Sequence, residues 1–208
     1  IIGRLVGSEM CIRDRNRGDK LSNEASLKYF LLGSLASCIL IYGVSLVYVS
    51  FSVFSVYNFA LGIAYVGPDS VPLTTSIGVL LIFIGLLFKI AAAPFQSWAP
   101  DVYQGSPTGY VGFMSSIAKV SSFIVIARLC LVSINFIIED FNIFFLIVII
   151  SSALIGSLFA SIQEDLKRLL AYSGVVQSGF ILSGIVSGIN GTSAVSYTHL
   201  RAHETTDN

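Results

Sequence analysis

Five long apolar segments, separated by short polar links, dominate the pattern of residues along this chain. The segments run roughly as residues 27–49, 74–95, 108–134, 141–161 and 169–195. Each holds about 20 residues or more, the length that an α-helix needs to cross about 30 Å of hydrocarbon. The segments do not show the short strands of a transmembrane barrel, in which apolar and polar residues strictly alternate. The pattern therefore predicts an all-α fold, a polytopic transmembrane helix bundle.

Two of the links predict special structure. Residues 51–72 are rich in aromatic residues and serine, which is typical of an interfacial loop or of a short surface helix. The second segment ends in a connector, residues 94–107, with the sequence PFQSWAPDVYQGSP. Pro94 removes a backbone donor and predicts a helix break there. In a membrane such a break is tolerated only where it packs on protein or lines a hydrated cavity.

The basic residues of the short links predict the orientation of the bundle. Lysine and arginine are enriched in cytoplasmic loops. The helix ends on the connector's side carry Lys20, Lys28, Lys167 and Arg168. The links on the opposite side carry no basic residue. We therefore expect the connector to face the cytoplasm, or the matrix or stroma of an organelle.

Composition agrees with a membrane protein and excludes several function classes. The 208 residues are 54% hydrophobic and 12% charged, whereas a soluble domain carries about 25% charged residues. The net charge is zero and there is no basic patch, so we expect lipid and not nucleic acid as a partner. The three cysteines and two histidines form no cluster with metal-ligand spacing. We therefore predict no metal, no disulfide and no cofactor bound by this chain.

The two ends of the chain depart from the apolar pattern. Residues 1–20 are charge-dense, and the polar residues 196–208 begin abruptly inside an apolar segment. The strings GSEMCIRDR and SYTHLRAHET resemble translated sequencing-adapter read-through. We therefore expect residues 1–20 to be non-native or disordered, residues 21–195 to be a transmembrane domain fragment, and residues 196–208 to be a non-native tail.

Two lysines lie inside the apolar segments that flank the connector. At 1.5 Å per residue, Lys89 lies ~15 Å and Lys119 ~20 Å from the connector, near the membrane midplane. A charge at that depth is expensive and usually functional. Low dielectric and a neighbouring like charge both disfavour the charged form, so the pair would titrate together, as a proton relay requires. Four serines that flank Lys119 are candidates for holding bridging waters: Ser115, Ser116, Ser121 and Ser122.

Other readings of the charged and polar residues stay open. Each lysine could instead pair with a carboxylate and serve packing alone, although the four complete segments contain no Asp or Glu. Arg128 lies nearer a helix end and is expected to be an interfacial anchor. Glu24 is expected to stabilise a helix start, and Asp101 to cap backbone amides of the connector. Gln177 could serve helix–helix hydrogen bonding or a proton path.

Three stretches of the chain carry a resemblance to a known family. FKIAAAPFQSWAPDVYQGSPT, EASLKYFLLGSLAS and QEDLKRLLAYSGVVQSGF resemble the antiporter-like, proton-translocating membrane subunits of respiratory complex I, the subunit N/subunit 2 family of NADH-quinone oxidoreductase. The resemblance implies that Lys89 is the relay lysine of a broken helix and that Lys119 is the lysine of the following helix. It implies that Pro94 is the proline of the break.

The resemblance also implies a fold and some departures from it. The fold is a bundle of two inverted repeats with broken helices, of which this chain would hold the last three helices of one repeat and the first two of the next. The family's glutamate lies in a helix that would precede the first segment, so Glu24 is not assigned that role. Many relatives have histidine at the positions of Gln96 and Gln177. Glutamine cannot titrate, but it can order water.

The implied function is that of an enzyme subunit without a redox centre of its own. Such a membrane-arm subunit translocates protons through a buried lysine relay, coupled to quinone reduction elsewhere in the complex. NADH, FMN, iron-sulfur clusters and quinone would belong to partner subunits, in a bacterial inner membrane or an energy-transducing organelle membrane. The alternatives are a component of a multi-subunit cation/proton antiporter or membrane-bound hydrogenase complex, or a structural assembly subunit.

Overall fold

A computed structural model describes residues 20–53, 55–67, 70–133 and 138–204. Within these ranges every regular element is helical, which confirms the all-α prediction. The elements are α1 (Lys20–Phe51), α2 (Val56–Val66), α3 (Leu73–Ile90), α4 (Trp98–Gly105), α5 (Thr108–Phe113), a π-helical turn (Met114–Ala118), α6 (Lys119–Ser133), α7 (Ile138–Ile162) and α8 (Leu166–Glu204). The run α5–π turn–α6 is uninterrupted, and we call it the Lys119 helix.

Five of these stretches are long and apolar enough to cross a membrane, and they fall on the five apolar segments of the sequence. They are Ser22–Phe51, Leu73–Ile90, Thr108–Cys130, Phe141–Ile162 and Leu166–Gly188. The first helix already includes Lys20, so Glu24 lies inside α1 and not at its start. Of the two alternatives for residues 51–72, the structure contains the short helix, α2.

The helices pack in two close pairs, α1 with α3 and α7 with α8. Glycines permit both approaches. A β-carbon on Gly43 of α1 would lie 2.7 Å from the carbonyl oxygen of Gly78 on α3. A β-carbon on Gly156 of α7 would lie 3.1 Å from the backbone nitrogen of Val176 on α8. Small residues at such crossings let helix backbones come close, which is how membrane helices gain packing energy.

An apolar core joins the two pairs. The rings of Phe83 on α3 and Phe145 on α7 meet edge to face with centroids 5.0 Å apart. Leu87, Ile126 and Leu182 complete this core from α3, α6 and α8, and all three are fully buried. Large apolar side chains on the outer faces of the helices are exposed, as expected of a surface that faces lipid.

The break after α3 begins earlier than the sequence indicated. The helix ends at Ile90, four residues before Pro94, and Ala91 adopts a left-handed conformation with φ 57° and ψ 39°. The Ala93–Pro94 bond is cis. Residues 91–93 are completely buried, so their backbone polar groups need partners within the protein.

Side chains from three helices bond to the backbone of this segment and of the last turn of α3. The backbone N–H of Ala93 donates to Ser152 Oγ of α7 at 2.9 Å. The hydroxyl of Ser178 on α8 donates to the carbonyl oxygen of Ile90 at 3.1 Å. The indole N–H of Trp98 on α4 donates to the carbonyl oxygen of Phe88 at 3.1 Å. The break is therefore enclosed by protein hydrogen bonds.

Candidate functional site

Lys119 is the first residue after the π-helical turn, and its side chain is buried between helices. The residue is 8% exposed, and its ammonium donates to the carbonyl oxygen of Gly174 on α8 at 3.1 Å. A π-helical turn is rare and often marks a functional site, because it widens the helix locally and changes the face on which the following residues lie. The turn thus sets the direction in which Lys119 projects.

The ammonium of Lys119 faces a cavity of about 530 Å³ between α4, the Lys119 helix and α8. We call it the Lys119 cavity. Most of its wall is apolar, but it also includes polar side chains: Tyr103, Thr108, Ser115, Lys119, Lys167, Ser173, Gln177 and Ser178. Carboxylates are absent from its described lining. Of the predicted water-ordering residues, Ser115 and Gln177 therefore lie at this cavity. Ser116 does not line it, although Ser115 and Ser116 both donate to the carbonyl oxygen of Gly112.

Lys89 lies in a different environment. It is in the last turn of α3, is exposed in this chain, and lines a second cavity of about 360 Å³ together with Tyr29, Phe88 and Trp98. We call it the Lys89 cavity. Within the described ranges, no hydrogen bond or ion pair to Lys89 is present. The burial that the sequence predicted for both lysines is therefore found at Lys119 and not at Lys89, because the helices of this chain leave the last turn of α3 uncovered on that side.

The Lys119 helix forms a shared wall between the two cavities. One of its faces lines the Lys119 cavity, and another face, with Ser121 and Ser122, lines the Lys89 cavity. From the sequence we expected these two serines to hold waters for Lys119. The structure corrects this, because the π-helical turn and the helical period place them on the side of Lys89.

A short chain of hydrogen bonds joins Lys119 to the break in α3. The carbonyl oxygen of Gly174 accepts from Lys119 Nζ and lies 2.7 Å from Ser178 Oγ, whose single hydrogen is shared between this carbonyl and that of Ile90. The hydroxyl of Ser178 also lies 3.1 Å from the carbonyl oxygen of Ile90, the residue after Lys89. Sequence reasoning missed Gly174 and Ser178. A backbone carbonyl leaves no side-chain signal, and a lone serine in an apolar helix is unremarkable.

The connector is held by charged residues at the ends of two helices. Asp101 accepts from Lys28 of α1 at 2.6 Å and lies 3.5 Å from Arg168 of α8. Lys28 is also paired with Glu24 at 2.7 Å. The expectation that Asp101 caps backbone amides is therefore wrong. Its carboxylate instead joins basic side chains that the sequence had assigned to the connector's side of the bundle.

The family described as NADH:quinone oxidoreductase/Mrp antiporter, TM, matches residues 5–207. This chain belongs to that family. Subunit 2 of the chloroplast NAD(P)H-quinone oxidoreductase of Mesostigma viride is 40% identical over 179 residues, which are 85% of this chain and 36% of that protein. NADH-quinone oxidoreductase subunit N of Halorhodospira halophila is 38% identical over 185 residues, which are 88% of this chain and 38% of that protein.

A solved structure supports the same assignment. A chain of respiratory complex I from Thermus thermophilus with bound aureothin is 32% identical and superimposes with a TM-score of 0.67, over 82% of this chain and 35% of that chain. The resemblance noted from the sequence is thus confirmed. The chain spans about a third of the length of the curated relatives that it matches.

Within this NADH:quinone oxidoreductase/Mrp antiporter family member, the two glutamines occupy distinct places. Gln177 is exposed at the Lys119 cavity. Gln96 lies in the connector, and its buried Oε1 finds no hydrogen-bond partner in the described part of the chain. A buried acceptor of this kind usually binds a water, and the water-ordering role of Gln96 stays a prediction.

The described ranges contain no group of three or more His, Cys, Asp and Glu side chains placed to bind a metal. Cys38 is exposed and Cys130 is buried, and both are free. Cys11, and the side chains of His199 and His203, lie outside the described residues. Arg128 is exposed on α6, and its predicted role as an interfacial anchor stays a prediction.

Proposed function

We propose that this chain carries protons across a membrane as part of a NADH-quinone oxidoreductase subunit, with Lys89 and Lys119 as proton-relay residues. One observation carries the proposal. The ammonium of Lys119 is buried in a helix bundle beside a cavity with a partly polar lining, and its hydrogen-bond partner is the carbonyl oxygen of Gly174. A neutral partner leaves the lysine free to release its proton, whereas a carboxylate would hold the charge in place.

Water access to Lys119 supports the relay. The cavity of about 530 Å³ has space for several waters, since one water occupies about 30 Å³ of liquid. Hydroxyl and amide groups along the wall supply the partners that such waters need. A proton could therefore reach and leave the ammonium along hydrogen bonds, without any large movement of the protein.

The hydrogen bonds of Gly174 and Ser178 give a route for coupling Lys119 to α3. A hydrogen bond from a charged donor is worth about 1.5–3 kcal/mol, more than one from a neutral donor. When Lys119 releases its proton, its hold on the Gly174 carbonyl weakens, and Ser178 can shift between that carbonyl and the one of Ile90. A change in the protonation state of Lys119 would thus change the hydrogen bonding of the Ile90 carbonyl, one residue after Lys89.

Redox chemistry would lie with partner subunits. The relatives named above are subunits of quinone oxidoreductases, and this chain would contribute the membrane path for protons. NADH, FMN, iron-sulfur clusters and quinone would be held by other subunits. The membrane would be a bacterial inner membrane or an energy-transducing organelle membrane.

The test is to replace each lysine by methionine in the full-length subunit, within the assembled complex, in sealed vesicles. Lys89→Met and Lys119→Met should each lower the number of protons translocated per NADH oxidised, while the complex still assembles. Arg128→Met is the matched control, since it removes an exposed cation from the same helix as Lys119. Wild-type stoichiometry in both lysine variants would rule out the relay and favour a structural assembly subunit.

A second candidate function is a component of a multi-subunit cation/proton antiporter. It is favoured by the family description, which names the Mrp antiporter beside the oxidoreductase. Sodium distinguishes the two. Proton movement that requires Na⁺ on the opposite side of the vesicle indicates the antiporter, whereas proton movement driven by NADH oxidation without Na⁺ indicates the oxidoreductase.

A further inference from the structure

The Lys119 cavity has one end at the connector, and Lys167 lies there. Lys167 is half-buried in the first turn of α8, and its ammonium donates to the carbonyl oxygen of Ser106 at 2.9 Å. The residues just before it, 164–166, are exposed. The connector end of the cavity therefore lies beside exposed residues, and the ammonium of Lys167 is fixed there.

The charges around this end are unevenly distributed. The described lining of the cavity contains two lysines, Lys119 and Lys167, and no carboxylate. Two carboxylates, those of Glu164 and Asp165, are exposed just outside this lining; Asp165 accepts from the amide of Gln104 at 2.6 Å, and Asp101 is paired with Lys28. The start of α8 adds the positive end of a helix dipole at the same place. A metal cation that passes these carboxylates would meet, inside the cavity, the positive charges of Lys167 and Lys119 and no anionic ligand.

A second observation indicates water at the same place. Ser106 is 2% exposed, and its hydroxyl has no hydrogen-bond partner among the described residues. Buried hydroxyls without a protein partner usually bind a water. Burial also raises the pKa of Tyr103, another lining residue, to about 12, so its phenol stays a neutral hydrogen-bonding group at physiological pH. Water and neutral hydroxyls can pass a proton without the entry of a metal ion.

We propose that Lys167 is the ion-selectivity residue of the Lys119 cavity: its ammonium excludes metal cations at the connector end, so that protons alone reach Lys119. This inference rests on the proposed function, because selectivity matters only if the cavity carries ions.

The size of the effect follows from the electrostatics. Repulsion between the Lys167 ammonium and a metal cation about 6 Å away, at an effective dielectric constant of about 20, lowers the occupancy of the cavity by that cation about 100-fold. Screening by solvent and salt at the half-buried position reduces this to about tenfold. Removing the charge of Lys167 should raise the apparent affinity of the cavity for Na⁺ by about the same factor.

The experiment measures redox-driven proton translocation in sealed vesicles that contain the complex with the full-length subunit. Na⁺ is varied while ionic strength is held constant with a bulky organic cation. Lys167→Gln removes the charge but keeps an amide donor for the carbonyl oxygen of Ser106, so it tests the charge more than the fold. The Na⁺ concentration that halves proton translocation should fall about tenfold in this variant.

Two controls separate charge from position. Lys167→Arg keeps the positive charge and should respond to Na⁺ like the wild type. Arg168→Gln removes a neighbouring charge that pairs with Asp101 and does not line the cavity, so it should also respond like the wild type. Lys167→Met provides a second neutral variant should the glutamine variant fail to assemble, with the same expected shift.

The results separate failure of this inference from failure of the proposed function. If the wild-type complex translocates protons, Lys119→Met lowers that translocation, and the neutral Lys167 variants respond to Na⁺ like the wild type, the selectivity role is refuted alone. An equal shift in Arg168→Gln would refute it too, because the effect would then be a general one of surface charge. If Lys89→Met and Lys119→Met both leave translocation unchanged, the proposed function fails first.

Discussion

A methyl group at Gly174 should displace the ammonium of Lys119 without disturbing the fold. A β-carbon built on Gly174 lies 2.8 Å from Lys119 Nζ and meets no other atom within 4 Å. The atom in its way is the end of a flexible side chain, so the lysine can move while the helices stay in place. Alanine also favours a helix over glycine by about 1 kcal/mol, which offsets small packing losses.

The expected loss is that of the hydrogen bond from the ammonium to the Gly174 carbonyl, now 3.1 Å long. Such a bond from a charged donor contributes about 1.5–3 kcal/mol, so the present position of Lys119 would be occupied about 10- to 150-fold less often. If that position is the one from which protons are passed on, Gly174→Ala should lower proton translocation per NADH oxidised in the assembled, full-length system.

Gly184→Ala is the control for this change. Gly184 lies on the same helix, and a β-carbon there would meet nothing within 4 Å. Its variant should therefore translocate protons like the wild type. Equal translocation by the Gly174→Ala and Gly184→Ala complexes would show that the position of the Lys119 ammonium does not matter. If the complex with Gly174→Ala fails to assemble, the expectation that the Lys119 side chain moves away from the new methyl group is refuted.

Two further predictions concern the break and the connector. Ser152→Ala leaves the buried N–H of Ala93 without a partner and should lower the unfolding free energy of the full-length subunit by about 1–3 kcal/mol. Ser157→Ala changes an exposed serine on the same helix and should leave the unfolding free energy unchanged. Equal thermal stabilities of the two variants would contradict this prediction. Asp101→Asn weakens a partly exposed ion pair with Lys28 and should cost about 0.2–1 kcal/mol at low salt. That difference should largely vanish in about 1 M salt, and a salt-independent loss would indicate another cause.

Hydropathy and length were enough to predict the membrane-crossing helices. A helix that faces lipid must form its backbone hydrogen bonds internally and present apolar side chains to the lipid. Its location in the membrane can therefore be predicted from the hydropathy of its sequence. The same reasoning identified Lys89 and Lys119, because a cation in an apolar segment stands out. It also grouped Lys28 and Arg168 with the connector, and the structure places both beside Asp101 of the connector.

Other features depend on contacts between distant parts of the chain. Asp101 was expected to bond locally, but an ion pair to Lys28, 73 residues away, competes successfully for its carboxylate. The π-helical turn cannot be read from the ordinary helical period, and it decides which serines share a cavity with Lys119. The helix end at Ile90 was missed because Pro94 is the visible breaker, while the left-handed residue Ala91 carries no sequence signal.

The hydrogen bonds that enclose the break also set an order for insertion into the membrane. The N–H of Ala93 finds its partner in Ser152, 59 residues later, and the carbonyl of Ile90 finds one in Ser178, 88 residues later. An unsatisfied backbone group in hydrocarbon costs several kcal/mol. During synthesis, the segment after α3 therefore cannot settle among lipids alone. It must stay near water or the insertion machinery until α7 and α8 have entered, so the stretch that carries the candidate relay is completed late in biogenesis.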